Sequence, residues 1–183
     1  MQMRTEHSSL SADLQRWLKS KLRHIPPSKF LIMGIGNSLK ADDGVASFIC
    51  DKIKTCAPGR VIDAGTAPEN YIQKIIDFSP QLLLIIDSMD FGGAAGEVRL
   101  FPADRISSVC SSTHSLDPGV FSSLIQQSCG TEIHYLGIQP QELTLGQPMS
   151  IPVKKAALKC VGCFVSAFTG QNVRRQHQDK EYS

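Results

Sequence analysis

Residues able to do chemistry follow the apolar runs of this chain. Run 30–35 leads into Gly36-Asn37-Ser38-Leu39-Lys40-Ala41-Asp42-Asp43-Gly44. A second short run ends in Asp63-Ala64-Gly65-Thr66-Ala67-Pro68-Glu69, and the run 82–86 ends in Asp87. His114 lies three residues before Asp117-Pro118. In open α/β sheets, sites form at the carboxyl ends of the strands. Carboxylate oxygen with imidazole nitrogen suits a divalent transition metal with open positions. Each residue also has a plainer reading. Asp42 or Asp43 suits the cap of a following helix. Asp87 suits a turn, and a loop histidine is ordinarily just solvated.

Other chemistries fit less well. Gly34-x-Gly36 follows a strand, but the third glycine of a dinucleotide fingerprint falls at Leu39. Two carboxylates also crowd the place where a pyrophosphate would sit. No P-loop, GxSxG elbow or HExxH occurs. Ser111, Ser112 and Thr113 precede His114, but sequence neighbours do not naturally face each other. Cys160-Val161-Gly162-Cys163 lacks the second ligand pair that a zinc site needs. It also lies inside a helical pattern rather than opening one, so it reads as core.

The elements that position these residues are legible from periodicity. Leu10, Leu14, Trp17, Leu18 and Leu22 predict an amphipathic helix over 10–24, ended by Pro26-Pro27 and packed onto the domain. Strands are expected at 30–35, 60–63, 82–86 and 131–138, with 82–86 the most central. A short strand at 97–101 suits an antiparallel edge. Val45, Phe48, Ile49, Ile53 and Cys56 predict one helix, and Ile72, Ile75 and Ile76 another after Pro68. Asp117-Pro118 reads as N-cap and first helical residue, with Val120, Phe121, Leu124 and Ile125 facing inward. Ser150 and Pro152 open a last helix with Val153, Ala157, Val161, Phe164 and Phe168 on one stripe. This alternation predicts an α/β sandwich around a mostly parallel sheet.

Composition bounds the rest. The 183 residues are 42% hydrophobic and 20% charged, an ordinary globular balance for one domain. A formal charge of +2 gives no basic stripe for nucleic acid. The longest aliphatic run is too short to span a bilayer, and no apolar export segment follows the first residues. A reducing, cytoplasmic setting with free thiols is therefore expected. The chain divides into a polar segment and helix over 1–29, a domain over 30–169 and a polar tail over 170–183.

At these residues the sequence resembles the hydrogenase maturation endopeptidases, over most of 30–168. The likeness rests on Gly34-Ile35-Gly36-Asn37-Ser38 with Asp42-Asp43-Gly44, Asp63-Ala64-Gly65-Thr66-Ala67-Pro68-Glu69-Asn70 and Ile85-Ile86-Asp87. It continues through Gly96-Glu97, Thr113-His114 and Leu136-Gly137-Ile138-Gln139-Pro140. Their common order and spacing carry the specificity. The Ala-Pro-Glu-Asn and Gly-Ile-Gln-Pro segments look most like the hydrogenase 3 branch. Two residues depart from the family pattern: Ala46 stands for a glycine and Ala95 for a proline. Neither belongs to the implied ligand set.

The resemblance implies a three-layer sandwich, a twisted sheet of about five strands with helices on both faces. It implies removal of the C-terminal extension from a nickel-loaded [NiFe]-hydrogenase large-subunit precursor, by a monomer without membrane insertion. The family's metal-contacting and catalytic set maps onto Asp43, Asp87 and His114, with Asp42 the structural neighbour. Nickel is expected to arrive with the substrate, and another divalent metal is an open alternative. Two other classes stay open: a non-catalytic nickel-site binder or assembly chaperone, and a doubly wound nucleotide- or flavin-binding protein.

Overall fold

The computed structural model describes the backbone of residues 10–106 and 117–178, and the side chains of 12–106 and 117–169. Its strands are β1 (Phe30–Gly34), β2 (Val61–Asp63), β3 (Leu82–Ser88), β4 (Val98–Pro102) and β5 (Glu132–Ile138). The helices are α1 (Leu10–His24), α2 (Val45–Ile53), α3 (Ile72–Phe78), α4 (Pro118–Cys129) and α5 (Ile151–Gln178). The strands form one sheet in the order β2-β1-β3-β5-β4. Among the described strands only the β4–β5 pairing is antiparallel, and β4 ends the sheet as the expected antiparallel edge.

The period of two along each strand splits the core into two layers. Phe30, Ile32, Leu82, Leu84, Ile86, Leu136 and Ile138 pack under α1, α2 and α5. Leu31, Met33, Leu83, Ile85, Ile133 and Tyr135 pack under α3 and α4. β1 is buried along its whole length, and β3 along all but its last residue, as strands covered on both faces should be. Helices therefore cover both faces, the three-layer sandwich expected. Leu14, Leu18 and Leu22 of α1 join the first core, so the N-terminal helix is part of the packed body.

Three details differ from the sequence expectation. In α4, Phe121 and Ile125 are buried, but Val120 and Leu124 are exposed. Ser122 turns inward in their place, because its hydroxyl pairs with that of Tyr135 at 2.8 Å. Cys56 lies beyond the end of α2 rather than on it. The backbone of α5 runs on to Gln178, into the residues read as a polar tail; polarity alone does not break a helix.

Candidate functional site

The site begins with the turn after β1. Gly36 has φ +148°, and a Cβ there would sit 2.0 Å from the carbonyl oxygen of Asp43. Only glycine lets the chain close back on itself at this point. The Asn37 side chain accepts from the Leu39 amide at 3.0 Å, and the Asn37 carbonyl accepts from the Lys40 amide at 3.0 Å. Ala41 then takes a left-handed conformation, φ +42°, and a 3-10 turn, Ala41–Gly44, leads into α2. The segment is a folded unit rather than a loose linker.

That unit gives its two acids different surroundings. Asp42 is fully buried. Its Oδ1 accepts from the Ser150 amide at 2.7 Å. Its Oδ2 accepts from the amides of Gln141 and Glu142 at 2.8 and 2.9 Å, and from the Ser150 hydroxyl at 2.9 Å. Asp42 therefore ties three segments together. Asp43 is 7% exposed and accepts one bond, from the Asn37 amide to Oδ2 at 3.0 Å. Its Oδ1 takes no hydrogen bond among the described residues.

Asp87 lies near the carboxyl end of β3, directly beside β1, and is 6% exposed. The turn carrying Asp43 packs against β3. Asp43 and Asp87 thus occupy the carboxyl edges of adjacent strands. Burial pushes the Tyr135 hydroxyl well above its ordinary value, its bond to Ser122 opposes this, and the charges of Asp87 and Asp117 add to the rise. Next to Asp87, the buried Ser88 hydroxyl has no partner among the described residues. His114 lies outside the described residues. Among those described, no group of three or more His, Cys, Asp or Glu is placed to hold a metal. Asp43 and Asp87 alone would supply two hard oxygen donors, a partial set for a divalent ion.

Two further features were not assigned a role from sequence. A cleft of about 370 Å³ opens between the turns after β1 and β2, lined by Asn37, Leu39, Ser47, Asp63 and Thr66 among others. Asp63 Oδ1 accepts from the Ser47 hydroxyl at 2.9 Å. At the same carboxyl edge, just after β5, the Gln139 carboxamide accepts from the amides of Phe91 and Gly93 at 2.9 and 3.0 Å and donates to Asp90 at 3.0 Å. It orders the loop that leaves β3 just after Asp87. The residues concerned stood in the motifs, but nothing in the sequence marked them as partners.

Among the described residues, Cys50, Cys160 and Cys163 are buried thiols. Burial pushes Cys50 up to about 12, with the charge of Asp63 adding to it. Burial does the same to Cys160, also to about 12, with Cys163 contributing. Neither is an activated nucleophile.

The hydrogenase maturation protease model, HycI, matches residues 51–167. The hydrogenase 3 maturation protease of Escherichia coli K12 is 34% identical over 129 residues, covering 69% of this chain and 82% of that protein. A putative hydrogenase maturation protease of Methanocaldococcus jannaschii is 30% identical over 162 residues, 83% of this chain and 94% of that one. The crystal structure of a [NiFe] hydrogenase maturation protease, HycI, from Thermococcus kodakarensis superposes with a TM-score of 0.75. It is 26% identical and covers 84% of this chain and 99% of its own. No helix among the described residues is long and apolar enough to cross a membrane. Sequence and fold agree, and the chain belongs to the hydrogenase maturation proteases, a family of peptidases.

Proposed function

We propose that this endopeptidase removes the C-terminal extension from the large-subunit precursor of a [NiFe]-hydrogenase, and that Asp43, Asp87 and His114 read the nickel that the precursor carries. The observation behind this is the pair of nearly buried carboxylates, Asp43 and Asp87, at the carboxyl edges of adjacent strands in a chain of this family. The E. coli relative is named for hydrogenase 3, and the same branch is proposed here. The protein acts as a monomer in the cytoplasm, where its precursor substrate is made and loaded.

Two carboxylates and one neutral imidazole are three ligands, one short of a closed structural site, and among the described residues no cysteine joins Asp43 and Asp87 in a group placed to hold a metal. Such a set binds free metal weakly and gains strength from ligands the substrate brings. Asp43 Oδ2 is already held by the Asn37 amide, which orients the carboxylate and leaves Oδ1 for the incoming ion. Nickel in that place would polarise the scissile carbonyl or lower the pKa of a bound water.

The test mixes the enzyme with nickel-loaded and metal-free precursor while free metal is chelated, and weighs the products. Selective trimming of the loaded precursor is expected. Equal trimming of both would refute the nickel checkpoint. Binding of the loaded precursor without trimming would refute the peptidase role and favour an assembly chaperone.

A further inference from the structure

Four large apolar side chains stand exposed on the rim that carries Asp43. Leu39 is 68% exposed, Leu145 66%, Ile151 70% and Leu143 38%. Scattered exposed leucines need no explanation. These four differ because the backbone beneath three of them is held in place. Leu39 sits in the Asn37 turn, and its carbonyl accepts from the Gly146 amide at 2.8 Å. The Asp42 amide donates to the Glu142 carbonyl at 3.0 Å, while the Asp42 carboxylate holds Gln141, Glu142 and Ser150. The turn after β1 and the segment between β5 and α5 are therefore joined into one ledge. Apolar groups presented on a fixed scaffold lose little freedom when covered, which is how a docking surface gains affinity.

We propose that this ledge docks the precursor substrate through an apolar stretch next to the bond that is cut. The inference rests on the peptidase reading above. A protein substrate must approach the carboxyl edge to reach Asp43, and Leu39 lies only four residues before that acid. The ledge is continuous with the cleft, since Leu39 lines both. A second copy of this chain seated there would cover Asp43 and block the substrate, so the precursor is the occupant that leaves the enzyme competent.

The test pairs Leu39→Asp with Leu145→Asp and reads precursor binding and trimming separately. Binding is followed on immobilised precursor and trimming by mass. Both side chains are already in water, so melting is expected to stay within a few degrees of wild type. Affinity is expected to fall at least tenfold and KM to rise as much, with kcat at saturation little changed. Leu39→Met with Leu145→Met is expected to restore binding, whereas Leu158→Asp, on the outer face of α5, is expected to change nothing. Wild-type affinity in the double Asp variant would overturn the ledge and leave the peptidase intact. Ledge-dependent binding without trimming would uphold the ledge and refute the peptidase reading. A wild-type dimer that the double Asp variant dissociates would give the surface to a second copy and overturn the proposal.

Discussion

Asp42 grips Ser150 with both carboxylate oxygens, Oδ1 on the backbone amide at 2.7 Å and Oδ2 on the hydroxyl at 2.9 Å. The contact fastens the start of α5 to the turn that presents Asp43. Asn at position 42 would turn an amide group toward donors and leave buried amides unpaired. Asp42→Asn is expected to cost about 3 kcal/mol, lowering Tm by roughly 6–12 °C. Ser150→Ala removes only the hydroxyl bond and should cost about 1 kcal/mol. Urea and thermal melts of both variants check the difference; equal effects would show that the carboxylate is not the fastening point.

Two glycines with positive φ should respond very differently to alanine. At Gly36 a Cβ would meet the Asp43 carbonyl at 2.0 Å, whereas at Gly65, φ +57°, nothing lies within 4 Å. Gly65→Ala should cost about 1–2 kcal/mol of left-handed strain. Gly36→Ala must displace the Asp43 turn, so it should cost more and abolish trimming. Denaturant midpoints with trimming rates separate them, and a well-folded, active Gly36→Ala protein would contradict the close approach.

The alternation of elements was legible because burial on both faces makes β1 and β3 continuous apolar runs. Proline and N-cap signals such as Asp117-Pro118 marked α4 correctly, and the Asp117 side chain accepts from the Gly119 and Val120 amides. The inward face of α4 was misread at Val120 and Leu124, because hydrophobicity alone does not reveal that Ser122 is sheltered by Tyr135. At the site, residue chemistry could not separate Asp42 from Asp43; only the resemblance did. The distinguishing partner, Ser150, lies 108 residues further along. The Asp63–Ser47 pair and the Gln139 clamp were invisible for the same reason, since each joins segments brought together only by the sheet.

At the opposite end of β5, Lys21 of α1 hydrogen-bonds the Glu132 carboxylate, which also meets His134 Nε2 at 2.6 Å. Partial burial pushes Glu132 up, but the hydrogen bonds from Lys21 and His134 outweigh it and hold the group below its ordinary 4.5. A depressed folded value means stability that is present above the unfolded pKa and lost as pH falls through the folded one. Glu132→Gln should therefore be less stable than wild type at pH 7, by under about 1 kcal/mol for so exposed a group. The gap should close as pH drops below 4.5. Melts from pH 7 down to pH 3 check it; a gap that persists at the acid end would mean the pairing is not its source.

Burial of Cys50 and Cys160, each pushed up to about 12, leaves almost no thiolate at neutral pH. Iodoacetamide on the native protein at pH 7.5 should leave both unlabelled and trimming unchanged. Peptide mass mapping checks the first and precursor trimming the second. Replacing Cys160 and Cys163 with Ala should likewise spare activity in folded protein, at the cost of a small cavity. An acyl-enzyme trapped on any cysteine or serine would refute hydrolysis without a covalent intermediate.

Adjacent acids should give opposite phenotypes. Asp42 carries four hydrogen bonds that join segments, so its loss should appear first as lost stability, with activity surviving at low temperature wherever the protein remains folded. Among the described residues Asp43 accepts a single amide, and its proposed work is at the rim. Asp43→Asn should stay within about 1 kcal/mol of wild type, yet lose at least about 10³-fold in trimming rate if it helps stabilise the reacting centre. Asp87→Asn and His114→Ala should match it in rate. Trimming is to be measured well below each variant's melting temperature, so that unfolding cannot imitate lost chemistry. Normal trimming by Asp43→Asn would remove it from the site and return the two acids to equal standing. Loss confined to nickel-loaded precursor binding, with free-enzyme stability unchanged, would instead tie Asp43 to the substrate's metal.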